Sequence, residues 1–249
     1  MELEINNNFR QLENWLCTIP QLFQTGEGVL LYQERNQIRQ FEIDGKKLVV
    51  KGFKPHHWLK GLIYTYLRKN KALRSFENAR QLRLRGFSTP TEVAYLEKKK
   101  FGILRQVYYV CEYTDAKAIR PRLIDQDPFD ENLALAYARF VVSLHEKGVL
   151  HKDLNPTNVL FKEDKGIYSF ELIDINRMQF YKKEVPAKKC MQNLSLFSAL
   201  TQVYYFILNE YARQRGWGEQ MISEAVIAKQ RHDKKWIIKK KLVHPFRKK

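Results

Sequence analysis

The stretch His151-Lys152-Asp153-Leu154-Asn155-Pro156-Thr157-Asn158-Val159-Leu160 decides how the rest of the chain reads. It follows a segment from Asp130 to Lys147 that reads as a helix, with Leu133, Tyr137, Phe140, Val141 and Leu144 on one face and a stop at Gly148. It precedes a strand-like segment running to Leu172-Ile173-Asp174-Ile175-Asn176-Arg177. Asp153 offers a carboxylate that can accept a hydroxyl proton. Asn158, five residues later, returns to the same place if the loop is tight, as Pro156 favours. Asp174, 21 residues after Asp153, ends an apolar run and offers a hard charged oxygen for Mg²⁺. Phosphoryl transfer asks a protein for little else: a carboxylate at the attacking hydroxyl, oxygen ligands for Mg²⁺, and a cation on the nucleotide phosphates. Taken alone, Asp153 and Asn158 would read as a loop-capping pair, because both residue types satisfy turns.

The cation is expected from upstream. Residues 3–23 read as helical, with Phe9, Leu12, Trp15, Leu16 and Ile19 near helical spacing. After Gly26 and Gly28 come strand signals at Val29–Tyr32, Ile38–Ile43 and Leu48–Lys51, the last two joined by an Asp44-Gly45 hairpin turn. Lys51 closes its strand, where its amine can reach a cleft. A lysine there needs a carboxylate, and Glu77 in the following helical run, Lys60 to Gly86, is the natural candidate. That run is rich in arginine, so a surface pair of Glu77 with Arg74 or Arg80 competes. Two further strands, Glu92–Leu96 and Ile103–Cys111, flank a tip carrying Lys98-Lys99-Lys100. The first half thus predicts a five-stranded antiparallel sheet interrupted by helix. The second half predicts helices, including one over Asn193–Arg213, so the class is α+β. The expected divisions are a helical extension 1–25, a sheet lobe 26–114, a helical lobe 115–213 and a basic segment 214–249.

Lys51 on a third strand, Glu77 on the next helix, the HKDLNPTN loop and the IDINR segment stand in the order found in protein kinases. The resemblance covers roughly residues 26–210 and implies a bilobal protein-kinase-like fold that uses ATP and Mg²⁺. It implies that Lys51 contacts the phosphates and is held by Glu77, that Asn158 and Asp174 bind Mg²⁺, and that Asp153 is the catalytic carboxylate. Adenine would lie near the Cys111-Glu112-Tyr113 connection, which makes Glu112 and Tyr113 nucleotide-binding candidates. Four departures narrow the class. Lys152 stands where protein kinases usually carry Arg. The first strand pair turns through Gln33-Glu34-Arg35-Asn36 and has no GxGxxG loop, so phosphates would be covered by backbone N–H groups and Arg35. The metal segment is Asp174-Ile175-Asn176 rather than Asp-Phe-Gly. Only 19 residues separate Asp174 from Leu194, with no Ala-Pro-Glu segment, which argues for a non-protein acceptor.

Several phrases resemble the bacterial lipopolysaccharide core kinases, the Kdo/WaaP-type group. They are Glu34-Arg35-Asn36, Val50-Lys51-Gly52-Phe53, Ala72-Leu73-Arg74-Ser75-Phe76-Glu77, Gly86-Phe87-Ser88-Thr89-Pro90, Asp153-Leu154-Asn155 and Ile173-Asp174-Ile175-Asn176-Arg177. This resemblance implies a cytosolic ATP-dependent kinase acting on a sugar hydroxyl, Kdo or otherwise heptose, of the inner core on lipid A. The DLNPTN loop also resembles small-molecule phosphotransferases, and an atypical Ser/Thr protein kinase is a further alternative. His151 reads as a brace for the loop. Arg177 reads equally as an anion-binding group or as a partner for a carboxylate.

Composition constrains the partners. The 249 residues carry 44 Lys+Arg against 27 Asp+Glu, a net charge of +17, which calls for an anionic partner and disfavours a cationic acceptor. No basic n-region with an apolar h-region opens the chain, and the uncharged stretch Asn193–Asn209 is too polar to span a bilayer. Cys17, Cys111 and Cys190 form no CxxC pair, which fits a reducing compartment, and His56-His57 reads as a solvated loop. Residues 229–249 carry ten Lys/Arg and mix Trp236, Ile237 and Ile238 with lysines; Phe53–Lys60 has a similar composition. Both predict docking to an anionic membrane surface, the inner face of the inner membrane, rather than to nucleic acid.

Overall fold

The computed structural model describes residues 1–34, 36–53, 58–197 and 201–243. Arg35, half of the Phe53–Lys60 segment including the His56-His57 pair, and the last six residues lie outside the described residues. The chain forms two compact units. The first is Met1–Asp115 together with Asp174–Asn176; the second is Ala116–Ile173 together with the chain from Arg177 onward.

The first unit is an antiparallel sheet with helices against it. Its strands are β1 (Glu2–Ile5), β2 (Val29–Gln33), β3 (Asn36–Ile43), β4 (Lys46–Phe53), β5 (Glu92–Lys100) and β6 (Ile103–Glu112), in the order β1-β5-β6-β4-β3-β2. Six strands therefore replace the expected five. The difference is β1, which lies in a segment read as helix. Leu3 and Ile5 alternate with Glu2 and Glu4, a period of two, and pair β1 antiparallel with β5. The helix of this region, α1, begins only at Glu13 and runs to Thr25, after a 3-10 turn over Asn7–Leu12.

Phe9, Leu12, Leu16 and Ile19 pack with Leu48, Val50, Leu96, Tyr108 and Val110 into one core layer. Gly52 matters here. A Cβ on it would come within 2.5 Å of the Phe23 ring of α1, so the bare backbone lets that ring close on the sheet. The Asp44-Gly45 turn takes positive φ at both residues, 51° and 73°, as its composition requires.

The basic run after β4 forms two helices rather than one: α2 (Trp58–Tyr66) and α3 (Lys71–Leu84). Asn70 is the reason. Its side-chain oxygen accepts from the N–H groups of Ala72 and Leu73 at 2.9 and 3.1 Å, which starts a new helix there. Gly86, at φ 81°, closes α3, with Phe87 N–H bonding Leu82 O and Gly86 N–H bonding Arg83 O, a Schellman pattern. The inner face of α3 buries Ala72, Phe76, Ala79 and Leu82, and Phe76 packs with Tyr95, Leu104, Val107 and Tyr109 in a second core layer.

The second unit is mainly helical. After the short β7 (Lys117–Ala118) and α4 (Arg120–Leu123) come α5 (Glu131–Glu146), β8 (Val149–His151), β9 (Val159–Asp164), β10 (Ile167–Leu172), β11 (Met178–Phe180), α6 (Ala187–Leu194), α7 (Gln202–Arg215) and α8 (Glu219–Val243). Asp130 caps α5 by accepting from Leu133 N–H. The inner face of α5, with Leu133, Tyr137, Val141 and Leu144, and that of α7, with Tyr204, Ile207, Leu208 and Tyr211, are fully buried. Strands β10-β9-β7 form one small sheet and β11-β8 a two-stranded ribbon. The expected helix Asn193–Arg213 is split: α6 ends at Leu194 and α7 starts at Gln202. Among the described residues no helix is long and apolar enough to cross a membrane.

Candidate active site

The loop after β8 is tight, as its sequence predicts. The backbone carbonyl of Asp153 accepts from Asn155 N–H at 2.8 Å and from the Asn158 side-chain amide at 2.9 Å. The Asn155 side-chain oxygen in turn accepts from Thr157 N–H at 3.0 Å. Asp153 and Asn158 are thus brought together by hydrogen bonds local to the loop. The Asn158 amide nitrogen is spent on one of them. Asn158 O also accepts from Ile173 N–H at 3.0 Å, which ties the loop to the residue just before Asp174.

His151 braces the loop from below. Its ring is fully buried; Nδ1 accepts from Asp153 N–H at 3.1 Å and Nε2 donates to Ile173 O at 3.0 Å. That pattern fixes the neutral Nε2–H tautomer. A second buried histidine continues the chain of contacts. Asn193 donates to His151 O at 2.8 Å, and its side-chain oxygen accepts from His145 Nε2 at 2.9 Å. His145 Nδ1 accepts from the Tyr211 hydroxyl at 2.9 Å. Burial holds the His145 ring down at about 4, against a weaker upward pull from Asn193, so it is neutral at physiological pH. Composition gave no sign of His145 or Asn193, because both sit in helices that read simply as apolar.

In the first unit, Lys51 lies within β4, paired with Ile38 of β3 on one side and Tyr109 of β6 on the other. A residue flanked by two strands has little backbone freedom, so its side chain starts from a fixed point. Lys51 Nζ donates to Asp174 Oδ1 at 2.7 Å, with the two side chains 18% and 33% exposed. The same oxygen accepts from the Asn176 side-chain amide at 2.7 Å. Asp174 holds φ at 53°, the left-handed region that Asp tolerates better than most residues.

The expected Lys51–Glu77 pair is not what the structure forms. Lys51 is on Asp174, and Glu77 pairs with Lys69 at the surface. Asn70 breaks the helix between Lys69 and Glu77, which places Lys69 ahead of α3 rather than on it. What α3 does hold is the backbone next to Asp174: the Asn78 amide donates to Ile175 O at 2.7 Å. No motif marks Asn78, which stands one residue beyond the carboxylate that the spacing singles out.

The remaining candidates are placed as follows. Arg177 lies 3.9 Å from the Asp153 carboxylate, a long ion pair between two part-exposed groups. Glu112 and Tyr113 follow one another at the end of β6, just before the chain leaves the first unit after Asp115. Glu112 N–H donates to Thr91 O and Tyr113 N–H to Lys47 O, both at 2.9 Å. Those two amides are therefore occupied, and contact with a nucleotide base would come from other atoms of the pair. Burial beside Glu112 pushes the Cys111 thiol up to about 12 despite Lys51 nearby, which leaves it an inert apolar filler.

The donor chemistry suits Mg²⁺ bound with a nucleotide. Among the described residues no three of His, Cys, Asp and Glu gather as a metal cage. Mg²⁺ in phosphoryl-transfer sites takes one or two protein oxygens and fills its shell with phosphates and water. The second unit offers the Asn158 amide oxygen and the first the Asp174 carboxylate, each an oxygen of that kind.

A profile described as the lipopolysaccharide kinase (Kdo/WaaP) family matches residues 28–217. Over shorter stretches the chain is similar to plant protein kinases. It is 31% identical over 80 residues, 30% of this chain, to calcium-dependent protein kinase 6 of Oryza sativa subsp. japonica. It is 35% identical over 71 residues, 27% of this chain, to the serine/threonine-protein kinase AtPK1/AtPK6 of Arabidopsis thaliana. Each match spans 15% of the plant protein. Among solved structures, WaaP in complex with acyl carrier protein is similar with a TM-score of 0.59 at 19% identity, covering 92% of this chain and 99% of that one. The last is a likeness of fold, and it agrees with a strand-rich unit followed by a helical one. Since the profile runs from β2 to the end of α7, well over half of the sequence, the chain belongs to the lipopolysaccharide kinase (Kdo/WaaP) family.

Proposed function

We propose that the chain transfers the γ-phosphate of ATP to a sugar hydroxyl of the lipopolysaccharide inner core on lipid A, Kdo in the first place and otherwise heptose. The observation that carries this reading is the Lys51–Asp174 pair at 2.7 Å, a lysine from the middle of the sheet on a carboxylate held in left-handed backbone. When nucleotide binds, Lys51 exchanges the Asp174 carboxylate for the phosphates. Asp174 and Asn158 would hold Mg²⁺, which would supply positive charge against the charge that develops on the phosphates. Asp153 orients the sugar hydroxyl and takes its proton. Glu112 and Tyr113 lie on the side of the adenine.

The net charge of +17 supports an anionic acceptor and disfavours cationic small molecules such as aminoglycosides. The acceptor sits in a bilayer, so we place the protein at the cytoplasmic surface of the inner membrane and expect no nucleic-acid partner. The test is transfer of ³²P from ATP to Kdo–lipid A, to a heptose-bearing core and to an aminoglycoside. The wild-type chain is expected to label one of the first two. Asp153→Ala and Asp174→Ala are expected to lose at least about a hundred-fold of that rate. Transfer by either variant at the wild-type rate would overturn the assignment.

A further inference from the structure

Asp174 stands in an uncommon backbone conformation, with φ at 53°. Left-handed φ on a residue other than glycine costs free energy and persists where the surroundings hold it. The three residues Asp174–Asn176 also belong to the first unit while the chain on both sides of them belongs to the second. Something in the first unit must therefore grip them. Two side chains do so. Lys51 bonds the Asp174 carboxylate, and Asn78 bonds the Ile175 carbonyl at 2.7 Å. Asn176 adds a local bond back to Asp174.

The two grips differ in kind. On the phosphotransferase reading, Lys51 leaves the Asp174 carboxylate when nucleotide arrives. Asn78 holds a backbone atom, so its bond is compatible with every state of the carboxylate. Its helix is well suited to serve as an anchor. At its start, the Asn70 amide donates to Glu97 of β5 at 2.5 Å. Near its end, Arg83 pairs with Glu92 of β5, whose side chain is 1% exposed. Helix α3 is thus pinned to the sheet at both ends, with Asn78 between the pins.

We propose that Asn78 is the positioning residue of this chain: its side-chain amide holds the Ile175 carbonyl and thereby keeps Asp174 in its left-handed conformation when Lys51 moves to the phosphates. The sequence assigns Glu77 the task of holding Lys51; the contact from this helix to the Asp174 segment comes instead from Asn78. It rests on the phosphotransferase reading for its consequence in catalysis, and on geometry alone for the grip itself.

The test uses the full chain with Asn78→Leu, which keeps the volume and removes the donor, and with Asn78→Asp, which keeps the shape and removes the N–H. Hydrogen exchange of a peptide spanning residues 173–178 is read without nucleotide. One lost hydrogen bond is expected to speed it about five- to ten-fold in both variants, while peptides from β4 and β6 exchange as before. In the transfer assay, the Mg²⁺ concentration for half-maximal rate is expected to rise by a similar factor and kcat to fall about ten-fold. Acceptor KM is expected to stay the same. A merely structural loss would reduce the amount of active protein and leave the Mg²⁺ dependence in place. Unchanged exchange in residues 173–178 in either folded variant overturns the proposal, as does unchanged Mg²⁺ dependence in a variant whose wild type transfers phosphate. Faster exchange with a wild type that neither binds Mg·ATP nor transfers phosphate would instead uphold the grip and remove the phosphotransferase reading.

Discussion

His145 shows how single residues set the conditions under which the loop survives. Its ring is neutral in the fold, with its own value near 4, and returns to about 6.5 when the chain unfolds. Between those values the unfolded chain binds a proton that the folded chain does not. Stability is therefore whole above pH 6.5, falls as pH drops toward 4, and levels off below. The total is on the order of 3 kcal/mol at roughly 1.4 kcal/mol per pH unit. Urea denaturation at pH 7, 5.5 and 4.5 checks this: His145→Leu should be less stable than wild type at pH 7 and show a shallower decline with pH. At this scale the sequence was readable where a residue type has one obvious task. Asp153 and Asn158 sit on a loop whose turn residues can be recognised, and Asp174 stands two residues past the end of β10. The choice of partner for Lys51 was not readable. The sequence offered Glu77 in the next helix, whereas the carboxylate that Lys51 meets, Asp174, stands more than a hundred residues further along, and that meeting depends on how the chain folds back.

Helix α3 carries the corresponding lesson for elements. Its basic composition suggests a solvated face, yet Arg83 and Arg80 converge on Glu92, a carboxylate that is almost wholly buried at the head of β5. Asn6 adds a hydrogen bond to the same side chain. Removing Arg83 would leave that carboxylate with Arg80 at 3.5 Å and Asn6 as its remaining partners. Arg83→Ala is expected to cost about 2 kcal/mol, a value reduced because the arginine is itself partly exposed. Thermal unfolding monitored by circular dichroism measures it. Glu77→Ala should behave differently. Its pair with Lys69 is exposed, so the substitution should move stability by less than about 0.5 kcal/mol and the transfer rate by less than about three-fold. A hundred-fold loss would reinstate Glu77 as the partner of Lys51. The boundaries of α3 came from local chemistry, the Asn70 cap and the Gly86 stop. Strand β1 was hidden because four residues are too few for a period of two to stand out against the helical spacing of Phe9, Leu12 and Leu16.

For the molecule as a whole, part of the excess positive charge lies on α8. Lys229, 1% exposed, donates to Ser195 O, Phe197 O and Asp233, and so fastens the middle of this 25-residue helix to the turn after α6. Beyond that fastening, Trp236, Ile237 and Ile238 are about half exposed among lysines. An indole and two aliphatics amid cations suit the interface of an anionic bilayer. Sedimentation with vesicles containing phosphatidylglycerol is expected to retain the protein at low salt and to release most of it at about 0.5 M salt. Neutral vesicles are expected to leave it in solution, and Trp236→Ala with Ile238→Ala to weaken retention about ten-fold. The packing of the first unit has a further consequence. The family profile begins at residue 28, but one core layer of the sheet is closed by Phe9, Leu12, Leu16 and Ile19, and Phe23 fills the space that Gly52 leaves. The span that relatives share is therefore not a span that can be cut out. A fragment 28–217 would present Leu48, Val50, Tyr108 and Val110 to water as a continuous apolar surface and associate through it, so expression work and domain grafting must carry the first 27 residues along.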